Sequence, residues 1–248
     1  DMNDRRILRI TGRDATGFLQ GLITNDIRKL DHGPIYAAIL TPQGKFITDF
    51  FLSKADDAIL LDVGAPFADS LVQRLTMYKL RADVTIEATS LYLHRGLGDA
   101  PEDGYADPRD HRLGWRAYRD QAQVDDDTDW DAMRVAYLIP ENGVELGPDS
   151  FILEMGFERL NGVDFRKGCY VGQEVTARMN HKTELRKGLA QVEVSAPVTS
   201  GTEISADGKP AGTIFTQSGN HALAYLRFDR ARAAMQAADA TVTLMTDG

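Results

Sequence analysis

The apolar positions follow two rhythms, helical and alternating, and the change between them divides the chain. Residues 6–10 read as a short strand and 12–15 as a turn, after which Phe18, Leu22, Ile23 and Ile27 recur at helical intervals through 16–30. Gly21 and the Thr24-Asn25-Asp26 triplet split that stretch into two helical pieces and leave backbone N–H groups free at the break. Residues 35–40 and 45–52 read as strands joined by Thr41-Pro-Gln-Gly44, whose Pro and Gly supply turn geometry, so a hairpin is expected. A strand at 58–63, an amphipathic helix at 66–79 carrying Leu71, Leu75 and Met77, and an alternating strand at 82–88 complete an α+β pattern.

Residues 90–98 form one more strand, whereas 99–110, rich in Asp, Gly and Pro, read as an exposed loop before strand character resumes at 113–118. The acidic run 125–129 suits a helix entry near Trp130, because carboxylates favour the positive end of a helix. As a metal site it lacks the Gly and distal Glu of a calcium loop. Beyond Asn180 come short strands at 189–194, 203–205, 211–217 and 221–226, punctuated by Pro and Gly, then an Ala-rich helix at 229–238 and a strand at 241–245. Short strands with regular turns predict a small barrel.

Of 248 residues, 43% are hydrophobic, which supports one large or two modest folded domains. The formal charge of -9, with 28 basic against 37 acidic side chains, disfavours nucleic acid and anionic membrane surfaces as partners. No apolar stretch is long enough to span a bilayer, and the first residues lack the apolar core of a secretory signal, so a cytoplasmic protein is expected. The single cysteine, Cys169, excludes an internal disulfide, and the five histidines lack ligand spacing, so no stably bound metal is expected.

Chemistry concentrates in 166–178, where two glycines flank Cys169 and Tyr170 and a helix is expected over 171–179, with Glu174 and Arg178 at ion-pair spacing. A thiol before a helix start, beside Arg166 and Lys167, is favoured as thiolate. Cys169 can serve there as nucleophile, redox thiol or transient metal ligand; it can also simply fill space between elements. A nucleophile needs a base, and the nearest histidine in sequence is His181. Arg166, Lys167, Arg178, Lys182, Arg186 and Lys187 make this the most cationic stretch of an acidic chain.

Lys167-Gly-Cys-Tyr-Val-Gly-Gln-Glu174 resembles the K-G-C-[FY]-x-G-Q-E signature of the YgfZ/Iba57/Caf17 family, folate-binding-like proteins of iron-sulfur cluster assembly or repair, related to the glycine cleavage T-protein. Phe18-Leu-Gln-Gly-Leu-Ile-Thr-Asn-Asp26 is similar to the family's F-x-Q-x-x-x-T-N-D segment, Tyr78-Lys-Leu-Arg81 to its Y-x-L-R segment, and Asn161-Gly-Val-Asp-Phe165 leads into the signature as in relatives. The resemblance covers essentially the whole chain.

It implies a T-protein-like α+β body over 1–182, divisible near 92, with mixed or antiparallel sheets around a central cavity, and a small C-terminal β-barrel over 183–248. It implies tetrahydrofolate or a derivative as ligand, with transient contacts to iron-sulfur assembly proteins or client enzymes, and a monomer as the default. Cys169 and Asp49 become the candidate catalytic residues; Asn25, Asp26, Arg81, Lys167, Tyr170, Gln173, Glu174 and Arg178 become candidates for the folate site or its loop. Asp49 is the counterpart of the acid near the folate nitrogen in T-proteins, and it also reads as a solvated strand-end carboxylate. One departure is Ala136 in Met133-Arg-Val-Ala-Tyr137, where T-proteins carry an acid that holds the pterin. The alternative function, folate-dependent aminomethyl or methyl transfer, is weakened by that loss.

Overall fold

The computed structural model describes residues 4–180, 185–231 and 234–245; His181 and Lys182, named above, lie outside them. Strand β1 (Arg5–Thr11) leads through α1 (Ala15–Gln20) and a 3-10 turn at Ile27–Asp31 into β2 (Ile35–Leu40), β3 (Phe46–Ala55), β4 (Ala58–Gly64), α2 (Ala65–Lys79) and β5 (Thr85–Ala88). The strands pair antiparallel in the order β2-β3-β4-β1-β5. All six residues of β2 and nearly all of β4 are buried, as expected of strands whose apolar runs are continuous because both faces are covered. Leu19, Ile23, Ile27, Leu71 and Leu75 pack on this sheet's core with Ile10, Phe50 and Leu61.

A three-stranded sheet, ordered β6-β8-β7, follows from β6 (Tyr92–Gly96), β7 (Tyr105–Ala106) and β8 (Trp115–Arg119). The segment 99–110, expected as an exposed loop, contains β7 and a buried Asp107. Its carboxylate accepts two hydrogen bonds from the Arg109 guanidinium, at 2.8 and 3.0 Å, which makes an acid in a loop burial-competent.

Helix α3 (Trp130–Tyr137) is capped by Asp129, whose side chain accepts from Ala132 N, the role foreseen for the acidic run. Helix α4 (Gln173–Asn180) starts two residues later than expected. Strands β9 (Lys187–Val194), β10 (Glu203–Ala206), β11 (Lys209–Ser218), β12 (His221–Arg227), β13 (Met235–Ala237) and β14 (Ala240–Leu244) close into the expected barrel, in the order β10-β11-β12-β9-β14-β13. The helix expected at 229–238 does not form where the chain is described. Residues 235–237 instead pair with β10 and β14, because closure needs a strand between them and its ladder outweighs the helix preference of alanine.

By internal contacts, 1–126 with 157–177 form one compact unit, and 127–156 with 178–248 form the other. The signature, 167–174, therefore lies wholly in the first unit, and the division falls within α4, between residues 177 and 178. No helix among the described residues is long and apolar enough to cross a membrane.

Candidate functional site

The break between α1 and the 3-10 turn is where the motif residues meet. Thr24 Oγ1 donates to the Gly162 carbonyl at 2.6 Å and accepts from Ala38 N. Asn25 Nδ2 donates to the carbonyls of Tyr36 and Asn161, at 2.8 and 2.7 Å, while its Oδ1 accepts from Lys29 Nζ and Asp26 N. Gln20 accepts from Ile27 N and donates to Asp26. The hydrogen bond and charge of Arg28 hold the Asp26 carboxyl down at about 2, against the opposing effect of burial. Lys29 also pairs with Asp164 at 2.7 Å, and Asp164 N donates to the Thr24 carbonyl. The F-x-Q-x-x-x-T-N-D segment and the Asn161–Asp164 lead-in thus form one hydrogen-bonded assembly, and both Asn25 and Asp26 serve within it.

The signature loop is strapped to the same break. Lys167 is buried and donates through Nζ to the carbonyls of Gln20 and Ile23, and its ammonium lies 4.6 Å from the centre of the Tyr170 ring. Burial pushes the Lys167 pKa down to about 8, with Asp26 and Asp164 opposing. Burial likewise raises the Tyr170 hydroxyl to about 12. Val171 N donates to the Gly21 carbonyl, and Gln173 N to that of Tyr170. Gly172, at φ +84, lies so close to the hairpin turn that a Cβ there would stand 2.6 Å from the Thr41 carbonyl oxygen. In the opposite direction, a Cβ on Gly44 would meet Val175 at 2.8 Å. These contacts fix the loop, yet Cys169 itself is exposed. Gln173 is half-buried, and Glu174 and Arg178 are exposed on α4.

Asp49 belongs to a second, buried group. It sits within β3 opposite Ala38 rather than at a strand end, and its Oδ2 accepts from the Tyr36 hydroxyl at 2.8 Å. Tyr36 stacks in a tilted arrangement on Phe51 and Phe157. Over the Phe51 ring lie three guanidinium carbons, those of Arg116 at 3.8 Å, Arg109 at 4.8 Å and Arg5 at 5.5 Å from its centre. Asp62 bonds both Arg5 and Arg116. Burial raises the Asp62 and Asp107 carboxyls, but the attraction of Arg5 and Arg116 on the first, and of Arg109 on the second, leaves both below the usual range. One buried donor in this group, Arg116 Nε, has no partner among the described residues.

The two groups join at Tyr36, whose carbonyl accepts from Asn25 and whose hydroxyl reaches Asp49. Arg81 is not brought to either; it is exposed past the end of α2 and pairs with neither Asp49 nor Asp83 among the described residues. Tyr36, Phe51, Asp62, Asp107, Arg109 and Arg116 escaped sequence reasoning. One signal was available, since Asp62 is a lone acid inside the apolar run of β4 and a buried charge needs partners. Ala136 is exposed on α3, and Arg134, two residues before it, is buried among Glu145, Asp131, Glu141 and Thr216 in its own unit. Among the described residues no cluster of three or more His, Cys, Asp or Glu could hold a metal ion.

Comparison with known proteins gives likenesses of three kinds, to a family model, to relatives in sequence and to a solved structure. The family model "CAF17, C-terminal beta-barrel domain" matches residues 186–247. Iron-sulfur cluster assembly factor IBA57, mitochondrial, from Mus musculus is 31% identical over 91% of this chain and 76% of its own length. The Homo sapiens protein of the same name is 30% identical over the same shares, and a Mycosarcoma maydis homologue is 31% identical over 74% of this chain and 54% of its own length. The crystal structure of glycine cleavage system aminomethyltransferase T from Bartonella henselae superposes with a TM-score of 0.77, covering 100% of this chain and 84% of that one at 12% identity, a likeness of fold. The relatives are named as mitochondrial, which overturns the cytoplasmic location expected from composition and the first residues.

Proposed function

Since the chain belongs to the IBA57 family of iron-sulfur cluster assembly factors, we propose that it serves cluster assembly or repair by binding a tetrahydrofolate beside Asp49 and presenting Cys169 to a transient partner. The observation that carries this reading is the junction at Tyr36, through which the pinned signature loop and the buried Asp49 group belong to one hydrogen-bonded structure.

The residues fit a folate in donor and acceptor chemistry. The Asp49 carboxylate can accept a ligand N–H, and Arg116 Nε is a buried donor in want of an acceptor such as a ligand carbonyl or carboxylate. Tyr36 orients Asp49, Phe51 and Phe157 pack against Tyr36, and Arg109 and Arg116 place positive charge over the Phe51 ring. When bound, the folate supplies a carrier for one-carbon units. Lys167, Gly172 and Val171 keep the loop in place so that Cys169 is displayed rather than buried.

Calorimetry with tetrahydrofolate tests the ligand: saturable binding by the wild type, lost or strongly weakened in Asp49→Asn, is expected. Restoration of client iron-sulfur enzyme activity in cells lacking the native protein tests the thiol. Cys169→Ala is expected to fold and fail, and full rescue by it removes the thiol from the reading. Aminomethyl transfer is a second reading, favoured by the buried, hydrogen-bonded Asp49 alone. Turnover of tetrahydrofolate with an aminomethyl donor above the Asp49→Asn background is its test.

A further inference from the structure

The Tyr78-Lys-Leu-Arg81 segment touches neither group of the candidate site, yet it is held in an unusual conformation. Leu80, which ends α2, is 86% exposed and has φ +46 and ψ -102. A leucine gains nothing from displaying its side chain to water, and a positive φ disfavours any residue with a Cβ. The turn is nevertheless fixed: Ala82 N donates to the Lys79 carbonyl at 2.7 Å, and Lys79 Nζ donates to the Val84 carbonyl at 2.7 Å. Met77 and Tyr78, 69% and 37% exposed, extend the apolar surface along the last turn.

Cations outnumber acids at this end of α2, where Asp83 is the nearest exposed acid in sequence and does not pair with Arg81. Lys79 is the cation in the last turn of α2 and already complements the helix dipole. Arg74 and Arg81 are additional, and neither has an acidic partner among the described residues. An apolar knob close in sequence to two guanidiniums that form no ion pair among the described residues, on a chain of net charge -9, is complementary to an apolar side chain flanked by carboxylates. We propose that Met77, Tyr78 and Leu80, with Arg74 and Arg81, form a docking surface for an acidic segment of a partner protein that carries an apolar anchor. Backbone strain at an exposed leucine is then the cost of presenting that anchor's counterpart in advance. The surface acts independently of folate binding and of Cys169.

The test uses fluorescence anisotropy with three labelled peptides: one with leucines flanked by Asp and Glu, one with the leucines replaced by Ser, and one with the acids replaced by Lys. Saturable binding of the first alone, weakening with added salt, is expected, together with amide shift changes confined to residues 74–82. Leu80→Gly removes the knob while relaxing the positive φ, so the chain stays folded, and Arg81→Glu reverses a charge; each is expected to weaken binding about tenfold or more. Cys169→Ala is expected to bind as the wild type, which separates this inference from the role of the thiol. No binding of the first peptide, equal binding of all three, or unchanged binding by the Leu80→Gly/Arg81→Glu chain overturns the proposal.

Discussion

The hydroxyl of Tyr36 donates to Asp49 Oδ2 at 2.8 Å across the β2–β3 ladder, two positions along from the directly opposed pair Ala38 and Asp49. Both residues are buried, and burial together with the Asp49 charge raises the Tyr36 pKa well above its ordinary value, so the phenol stays a donor. Tyr36→Phe removes the only hydrogen bond that the described residues give the Asp49 carboxylate. A stability loss of about 1 to 3 kcal/mol in urea unfolding is expected, with weaker tetrahydrofolate binding by calorimetry. Asp49→Asn retains an acceptor for the hydroxyl, so it is expected to lose the ligand with much less loss of stability.

Gly172 and the hairpin turn are equally dependent on each other. Gly172→Ala must place a methyl 2.6 Å from the Thr41 oxygen and 2.9 Å from Leu40 Cβ while holding φ at +84. Moving the turn aside is resisted by Gly44, whose own Cα lies 3.3 Å from the added atom. A destabilisation of about 2 kcal/mol or more is expected in denaturant, from the left-handed conformation and the contact together. Accelerated alkylation of Cys169 as the loop lifts would show that the glycine holds the thiol's setting.

Much of this was legible in the sequence because the signals were local. The TPQG turn, the break at Thr24–Asp26 and the tail's turn residues fix backbone direction within a few positions. The Asp49 group was not legible, since Tyr36 and Phe51 look like ordinary strand hydrophobes, and Asp62, Asp107, Arg109 and Arg116 acquire meaning only when two sheets bring them together. The Ala-rich stretch after Asp229 was misread for the same reason. Strand pairing in the barrel is set by residues far away in sequence, and it overrides local preference.

In the barrel-containing unit, Arg134 is the most consequential buried charge. Its guanidinium bonds Glu145, Asp131 at 2.9 Å and Thr216 at 3.1 Å, and Glu145 also accepts from Glu141 N and from Thr216 Oγ1. Arg134→Met leaves the Glu145 carboxylate buried without its cation, so a loss of about 3 to 5 kcal/mol is expected. Arg134→Met/Glu145→Gln is expected to recover part of it. Hydrogen exchange should locate the loosening in β11 around Thr216 and spare β2 and β3.

Lys167 yields a prediction whose sign follows from linkage. Its pKa is about 8 in the folded protein against an ordinary lysine value of 10.5, because burial disfavours the ammonium. Between those two values the unfolded chain binds more protons than the folded one, so the Lys167 contribution to stability increases as pH rises from about 8 to 10.5. Below 8 the side chain is charged in both states and the penalty is constant; above 10.5 it is neutral in both and the penalty is absent. Tyrosines of the unfolded chain titrate near the top of this range, whereas burial raises Tyr36 and Tyr170 in the folded one; both effects are common to the wild type and to Lys167→Met, so the difference between the two curves isolates the lysine. Urea unfolding of both chains at successive pH values is expected to show the wild type gaining on the variant from pH 8 upward, and parallel curves would contradict the depressed pKa. A neutral amine can still donate to the carbonyls of Gln20 and Ile23. The strap beneath Cys169 is therefore expected to persist through the titration, leaving alkylation of the thiol in the wild type without a step near pH 8 that the variant lacks.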